Sequence, residues 1–195
     1  MDERLDRKSF LRKAGLGSAA LASFPLLAEA ASAAEATFGR PIYFHYYAFG
    51  KAAAVAGVAH AVAMSGSGRI THNSLVAGGS YVHFDLAAPV PKPVISAGTW
   101  KGRRFISVHL VGTWGDLAAG VLDMEIDLHQ DAPTPDIVPA TLEVVSNIGS
   151  ANLFVPGKDV GFTLTIPGAD YGSFTSFGAF PLAQGLAVFS VGTEG

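Results

Sequence analysis

The sequence predicts an all-β fold: a single antiparallel β-barrel or β-sandwich of about 8–10 short strands behind a cleavable N-terminal signal segment. Three observations carry this. Apolar and polar residues alternate with period two through most of the chain after residue 40. Gly, Pro, Asn and Asp interrupt that alternation at short, regular intervals, as strand-connecting turns require. After the leader only 51–63, rich in Ala, permits a helix; Gly57 interrupts it, and Val58-Ala59-His60-Ala61-Val62-Ala63-Met64 also reads as strand alternation.

Residues 1–36 read as an address and 37–195 as one domain. A basic head (Arg4, Arg7, Lys8, Arg12, Lys13) precedes an uncharged run from Ala14 to Ala28, and small residues follow. That is the order of an export signal. Three Ala-x-Ala units come next, Ala28-Glu29-Ala30, Ala31-Ser32-Ala33 and Ala34-Glu35-Ala36, and cleavage is expected after Ala33 or Ala36. The run falls short of the roughly 20 residues of a spanning helix, and Gly15, Gly17 and Pro25 weaken it as a helix, so no stable membrane span is expected after cleavage. Asp6-Arg7-Lys8-Ser9-Phe10-Leu11-Arg12-Lys13 resembles the twin-arginine export motif, with Lys8 in place of the second arginine. The resemblance implies a protein that folds before it crosses the membrane and works in the periplasm, at the cell surface or outside the cell.

The expected strands are 41–49, 58–70 with a glycine break at Gly66 and Gly68, 79–86, 94–101, 103–113, 119–129, 140–147, 161–166, 173–180 and 186–191. Two Pro-rich pieces, 89–93 and 131–136, are short enough to be loops. Gly98-Thr99-Trp100 recurs as Gly112-Thr113-Trp114, which reads as two Trp-capped segments of one meander. The hairpin from Arg103 to His129 admits a register. A five-residue turn from Trp114 to Ala118 would set Leu110 opposite Leu122, Val108 opposite Met124 and Ile106 opposite Ile126, all in the core. The other face would then pair His109 with Asp123, Ser107 with Glu125 and Phe105 with Asp127.

Composition narrows the function. The formal net charge is −3, and the one basic cluster, Lys101-Gly102-Arg103-Arg104, reads as a solvated hairpin end, so no nucleic-acid partner is expected. Cysteine is absent, which removes disulfides and thiolate chemistry. There is no Gly-x-Ser-x-Gly elbow or phosphate-binding Gly-Lys-Ser/Thr loop; Ser65-Gly66-Ser67-Gly68 reads as a bend or bulge.

Two constellations could carry chemistry. Asp123, Glu125, Asp127 and His129 alternate on one strand face. With His109, His83 and Asp85 they could ligate a divalent metal, the one cofactor left open, although alternate strand residues lie about 6.5–7 Å apart and a solvated face looks the same. Paired carboxylates there would also suit glycoside hydrolysis, but no aromatic platform accompanies them. The second set is Tyr43, His45, Tyr47, His60 and His83, which would line an interior cavity if the barrel brought them together. His60 also reads as a core histidine satisfied by one hydrogen bond. The aromatic segments 43–49 and 171–180 fit core packing, an apolar ligand cavity or a protein contact.

The resulting expectation is an exported, non-catalytic all-β module that binds a protein partner or small apolar ligand, self-associates, or contributes to a cell-surface structure. The alternatives are a small β-barrel enzyme, of isomerase or cyclase type, using an interior cavity, and a metal-binding secreted domain.

Overall fold

The computed structural model describes residues 40–72, 74–176 and 185–192. The proposed export segment, together with Phe177 and Phe180, lies outside the described residues. Among the described residues nine strands form one sheet: β1 (Ile42–Val55), β2 (Val58–Thr71), β3 (Ser74–Asp85), β4 (Val94–Trp114), β5 (Leu117–Ala132), β6 (Asp136–Ser146), β7 (Gly161–Thr165), β8 (Ser173–Ser176) and β9 (Leu186–Val191). Strands β1 to β8 pair antiparallel in chain order, and β1 pairs with β8 as well as β2, which closes an eight-stranded barrel. β7 and β8 are short, and β9 runs beside the first half of β1 while touching the start of β5. Closure leaves the eight strands no free edge along their paired length.

The tight turns follow from local chemistry. Ala56 (φ 50°) and Gly57 (φ 84°) both take positive φ between β1 and β2, as a two-residue type I′ hairpin demands. At the β4–β5 tip Gly115 (φ 60°) takes the first turn position, and Trp114 pairs with Leu117. The loop there is therefore two residues, not the five expected.

An eight-stranded barrel has an interior that side chains can fill. Along β1, Ile42, Phe44, Tyr46 and Ala48 are buried while Tyr43, His45 and Tyr47 face outward. Trp100, Tyr46 and Phe162 meet at the centre, with the Tyr46 ring 6.0 Å from each of the other two. Leu122, Met124, Ile126, Leu142 and Val144 complete this zone from β5 and β6 and are fully buried.

Several expectations need correction. The 94–101 and 103–113 segments form one strand, because β4 absorbs its irregularities as bulges rather than as a turn. Register shifts at Gly102/Arg104, Phe105/Ser107 and Leu110/Gly112 place Val108 opposite Leu122, Phe105 opposite Met124 and Gly102 opposite Ile126. Ile106 falls at a bulge and is 44% exposed, so it is not a core residue. Gly66 and Gly68 do not break β2. The Trp100 indole occupies the space a side chain on Gly66 would need, and the Phe44 ring does the same at Gly68. Of the repeated Gly-Thr-Trp units, the first buries Trp100 and the second leaves Trp114 56% exposed at a hairpin tip.

Candidate functional site: an aromatic and histidine pocket at one barrel end

In an up-and-down barrel, the starts of even-numbered strands and the ends of odd-numbered ones share a rim. His60 lies near the start of β2, Tyr81 and His83 near the end of β3, Ser96 near the start of β4, and Gln130 near the end of β5. These strands converge around a cavity of about 90 Å³. For comparison, one water needs about 10–15 Å³. Its walls are apolar: Val62, Leu128, Val138 and Leu164 come from the strands, and Phe174 from β8. Tyr171, in the β7–β8 connection, closes one side.

Strand parity sets the inward direction of these side chains. Tyr81 and His83 alternate on the buried face of β3, and Val62 stands opposite His83 across the β2–β3 ladder. His60, one inward position before Val62, then reaches His83 diagonally, and His60 Nδ1 lies 2.9 Å from His83 Nε2. One imidazole donates to the other. The Tyr171 ring stacks on His60 with centroids 4.3 Å apart at 28°, and Tyr171 and Phe174 present edges or tilted faces to His83 at 5.5 and 5.1 Å. Asp85 Oδ1 accepts from the Ala59 and Ala87 backbone N–H groups, pinning the strand ends beside His60.

This packing has electrostatic consequences. Burial, and then the neighbouring His60, push the His83 imidazole down to about 4, so His83 is neutral near pH 7. Burial raises the Tyr81 phenol, opposed by the Ser96 side-chain hydrogen bond, and nearby Asp131 and Tyr171 raise it further. Burial and then Asp170 raise Tyr171. Tyr81 and Tyr171 are therefore neutral donors. None of the residues lining the cavity is Lys or Arg.

The other expected site residues lie elsewhere. Tyr43, His45 and Tyr47 are on the outer face of β1, because Ile42, Phe44 and Tyr46 take the inward positions. Arg69 sits over the Tyr43 ring at 5.8 Å, and Phe49 meets Tyr47 edge-on. On the acidic face, the β4 bulges move His109 opposite Val121, and Ser107 Oγ donates to Asp123 Oδ2 at 2.8 Å. Glu125 accepts from Arg103 Nη2 at 2.8 Å and from Arg104, while Arg103 Nε lies 3.8 Å from Asp127. The basic cluster is thus a mid-strand partner of the carboxylates, not a hairpin end. His83 and Asp85 belong to the barrel rim and do not join His109, Asp123 or Glu125. Among the described residues, no group of three or more His, Cys, Asp or Glu is placed to hold a metal ion.

Gln130 and Ser96 carried no recognisable signal in the sequence, being single polar residues at strand ends. Tyr171 lay in an aromatic segment, but its place over the mouth depends on how the β7–β8 connection folds back. The sequence matches no protein-family model and no curated protein, and the fold matches no solved structure. Among the described residues no helix is long and apolar enough to cross a membrane.

Proposed function

We propose that this is an exported small-molecule-binding barrel whose rim pocket takes a compact, neutral, mainly apolar ligand carrying an oxygen acceptor such as a carbonyl or hydroxyl. One observation carries the reading: four hydrogen-bonding side chains from β3, β4 and β5 (Tyr81, His83, Ser96 and Gln130) converge on a cavity that is otherwise apolar. Such pockets gain affinity from apolar area and orientation from a few placed polar groups. The charge pattern supports neutrality in the ligand. Asp131 and Asp170 lie close enough to raise the rim tyrosines, and no lining cation offsets them, so a carboxylate or phosphate would be desolvated without a partner. Export rests on the leader sequence.

Saturation-transfer NMR on the purified protein tests this with cyclohexanone and cyclohexanecarboxylate as matched probes. The ketone should bind and the carboxylate should not, and Gln130→Ala with Tyr81→Phe should weaken the ketone. Equal signals from both probes, or none from either, would remove the basis for the proposal.

A further inference from the structure

The His60–His83 contact is more than a packing detail, because it joins a buried ring that lines the cavity to a ring that reaches solvent. His83 is 6% exposed, whereas His60 is half-buried. His83 commits Nε2 to His60 and still lines the cavity, so the nitrogen it can offer a bound molecule is Nδ1. With His83 Nε2–H donating to His60 Nδ1, His83 Nδ1 carries a lone pair towards the ligand. Tyr81 keeps its O–H for the pocket while Ser96 bonds to its oxygen, and Gln130, whose Nε2 donates to Thr134 O at 2.8 Å, lines the neighbouring wall.

We infer that the pocket catalyses proton transfer next to the carbonyl of a small neutral ketone, with His83 as base and His60 as its proton outlet; this rests on the ligand class proposed above. His83 Nδ1 takes the α-hydrogen as a proton. The C–H pair forms the C=C bond of an enolate, and the carbonyl π pair moves onto oxygen, to which the Tyr81 O–H donates. His83 then holds both ring protons and passes the one on Nε2 to His60 Nδ1. The charge comes to rest under the stacked Tyr171 ring, where a cation–π contact stabilises it. His60 releases a proton to solvent. The substrate-derived proton left on His83 Nδ1 faces the rim pocket and exchanges with water there; as a solvent proton re-enters through His60 to His83 Nε2, the exchanged proton passes from Nδ1 back to the same α-carbon, so the net result is α-hydrogen exchange without an oxidant or cofactor.

Burial keeps His83 unprotonated at neutral pH, which suits a base but makes it weak. Handing the proton to His60, the ring that reaches solvent, carries it out of the buried pocket. The groups that face the pair are Asp85 on the same strand as His83, Tyr81, Asp131 at the end of β5, and Tyr171 with Asp170 in the β7–β8 connection.

The assay is deuterium incorporation into cyclohexanone in D₂O, followed by proton NMR beside the saturation-transfer measurement. The wild-type protein should exchange the α-protons about 100-fold faster than an equal concentration of imidazole. His83→Gln should abolish the gain. His60→Gln should retain binding, slow exchange, and move the acid limb of the rate profile to higher pH, because removing His60 removes one cause of the low His83 value. Should His83→Gln fail to fold, His60→Gln carries the test, predicted to slow exchange with the ketone still bound. Bound ketone exchanging no faster than in imidazole would overturn the proton-transfer role and leave the pocket reading intact. No binding at all would overturn both.

Discussion

Gly66→Ala probes the packing that closes off the barrel interior. A Cβ at Gly66 would lie 2.0 Å from Trp100 Cζ2 and 2.8 Å from Cε2. Ordinary contact begins near 3.4 Å, so the indole must retreat by about 1.4 Å. It has little room: Trp100 is 1% exposed, Tyr46 packs against it, and its Nε1 donates to Ser65 O at 2.8 Å. Overpacking costs about 1–3 kcal/mol, and weakening the indole hydrogen bond about 0.5–1.5 kcal/mol. The sum is about 1.5–4.5 kcal/mol of destabilisation. An unconstrained Gly→Ala change would instead stabilise by about 0.4–1 kcal/mol through the unfolded chain. The two accounts thus differ in sign. Urea unfolding followed by tryptophan fluorescence measures the difference. A double-mutant cycle with Trp100→Phe adds specificity, since phenylalanine lacks the six-membered indole ring atom that clashes; the Gly66→Ala penalty should shrink by at least about 1 kcal/mol in that background. A Gly66→Ala protein as stable as wild type, or strict additivity in the cycle, would show that the indole does not occupy the space over Gly66.

Four further outcomes are expected. The Tyr46 hydroxyl is buried without a hydrogen-bond partner, so Tyr46→Phe should be neutral or stabilising by about 1 kcal/mol in thermal and urea denaturation; a clear loss would mean the hydroxyl is paired. His83 gives acid sensitivity: between about pH 6.5 and 4 the unfolded chain binds a proton there that the folded protein refuses, so stability falls as pH drops through this window, by about 1–2 kcal/mol after screening at the rim. Urea midpoints at pH 7 and pH 4 should show that loss in wild type, and His83→Phe should flatten it. Leu122→Ala should cost about 2–5 kcal/mol while Ile106→Ala costs under about 1 kcal/mol, a contrast that reports the bulged register directly. N-terminal sequencing of the exported protein should begin near Ala34 or Thr37, and Arg7→Gln with Lys8→Gln should retain it in the cytoplasm if the twin-arginine route is used.

The fold class was legible because alternation is a local property. Leu122, Met124, Ile126 and Leu128 show their facing within one strand, against Asp123, Glu125 and Asp127 on the other side, and closure only joins faces already written. The β4–β5 register was not, because it depends on where bulges fall. Placing Gly102 opposite Ile126 leaves room for a crowded interior that the chemistry of Arg103 to Leu110 does not announce. The glycines were misread for a related reason: Gly66 signals a bend to a local reading and a Trp100 docking surface once β4 is two strands away. For the pocket, the sequence offers His60 and His83 as cavity candidates, but it offers His83 equally as a metal ligand beside Asp85. Tyr43, His45 and Tyr47 were grouped with them because an aromatic strand carries rings on both faces, and nothing within residues 43–49 says which face is inside.

The position of the pocket follows from where the inner rows change size. Along β2 the inward residues run His60, Val62, Met64, Gly66, Gly68 and Ile70, and the rings of Trp100 and Phe44 lie over the two glycines. The centre is therefore filled by rings from other strands rather than by β2 itself. Towards the β2 start the glycines give way to Val62 and His60, but no comparably large ring from β4 reaches that level; Ser96 and Gly98 occupy the corresponding end of β4. Gly98 cannot be enlarged, since a Cβ there would lie 2.0 Å from His129 O. The small residues at the start of β4 leave a gap that Tyr171 and Phe174 cover from the side without filling. A cavity at this rim is the remainder of the packing, and the polar side chains that line it stand where the inward positions run out towards solvent and His60 keeps an outlet. The same reasoning explains why the pocket stops at Val62, Leu128 and Leu164: below them the indole of Trp100 and the ring of Tyr46 leave a ligand no passage.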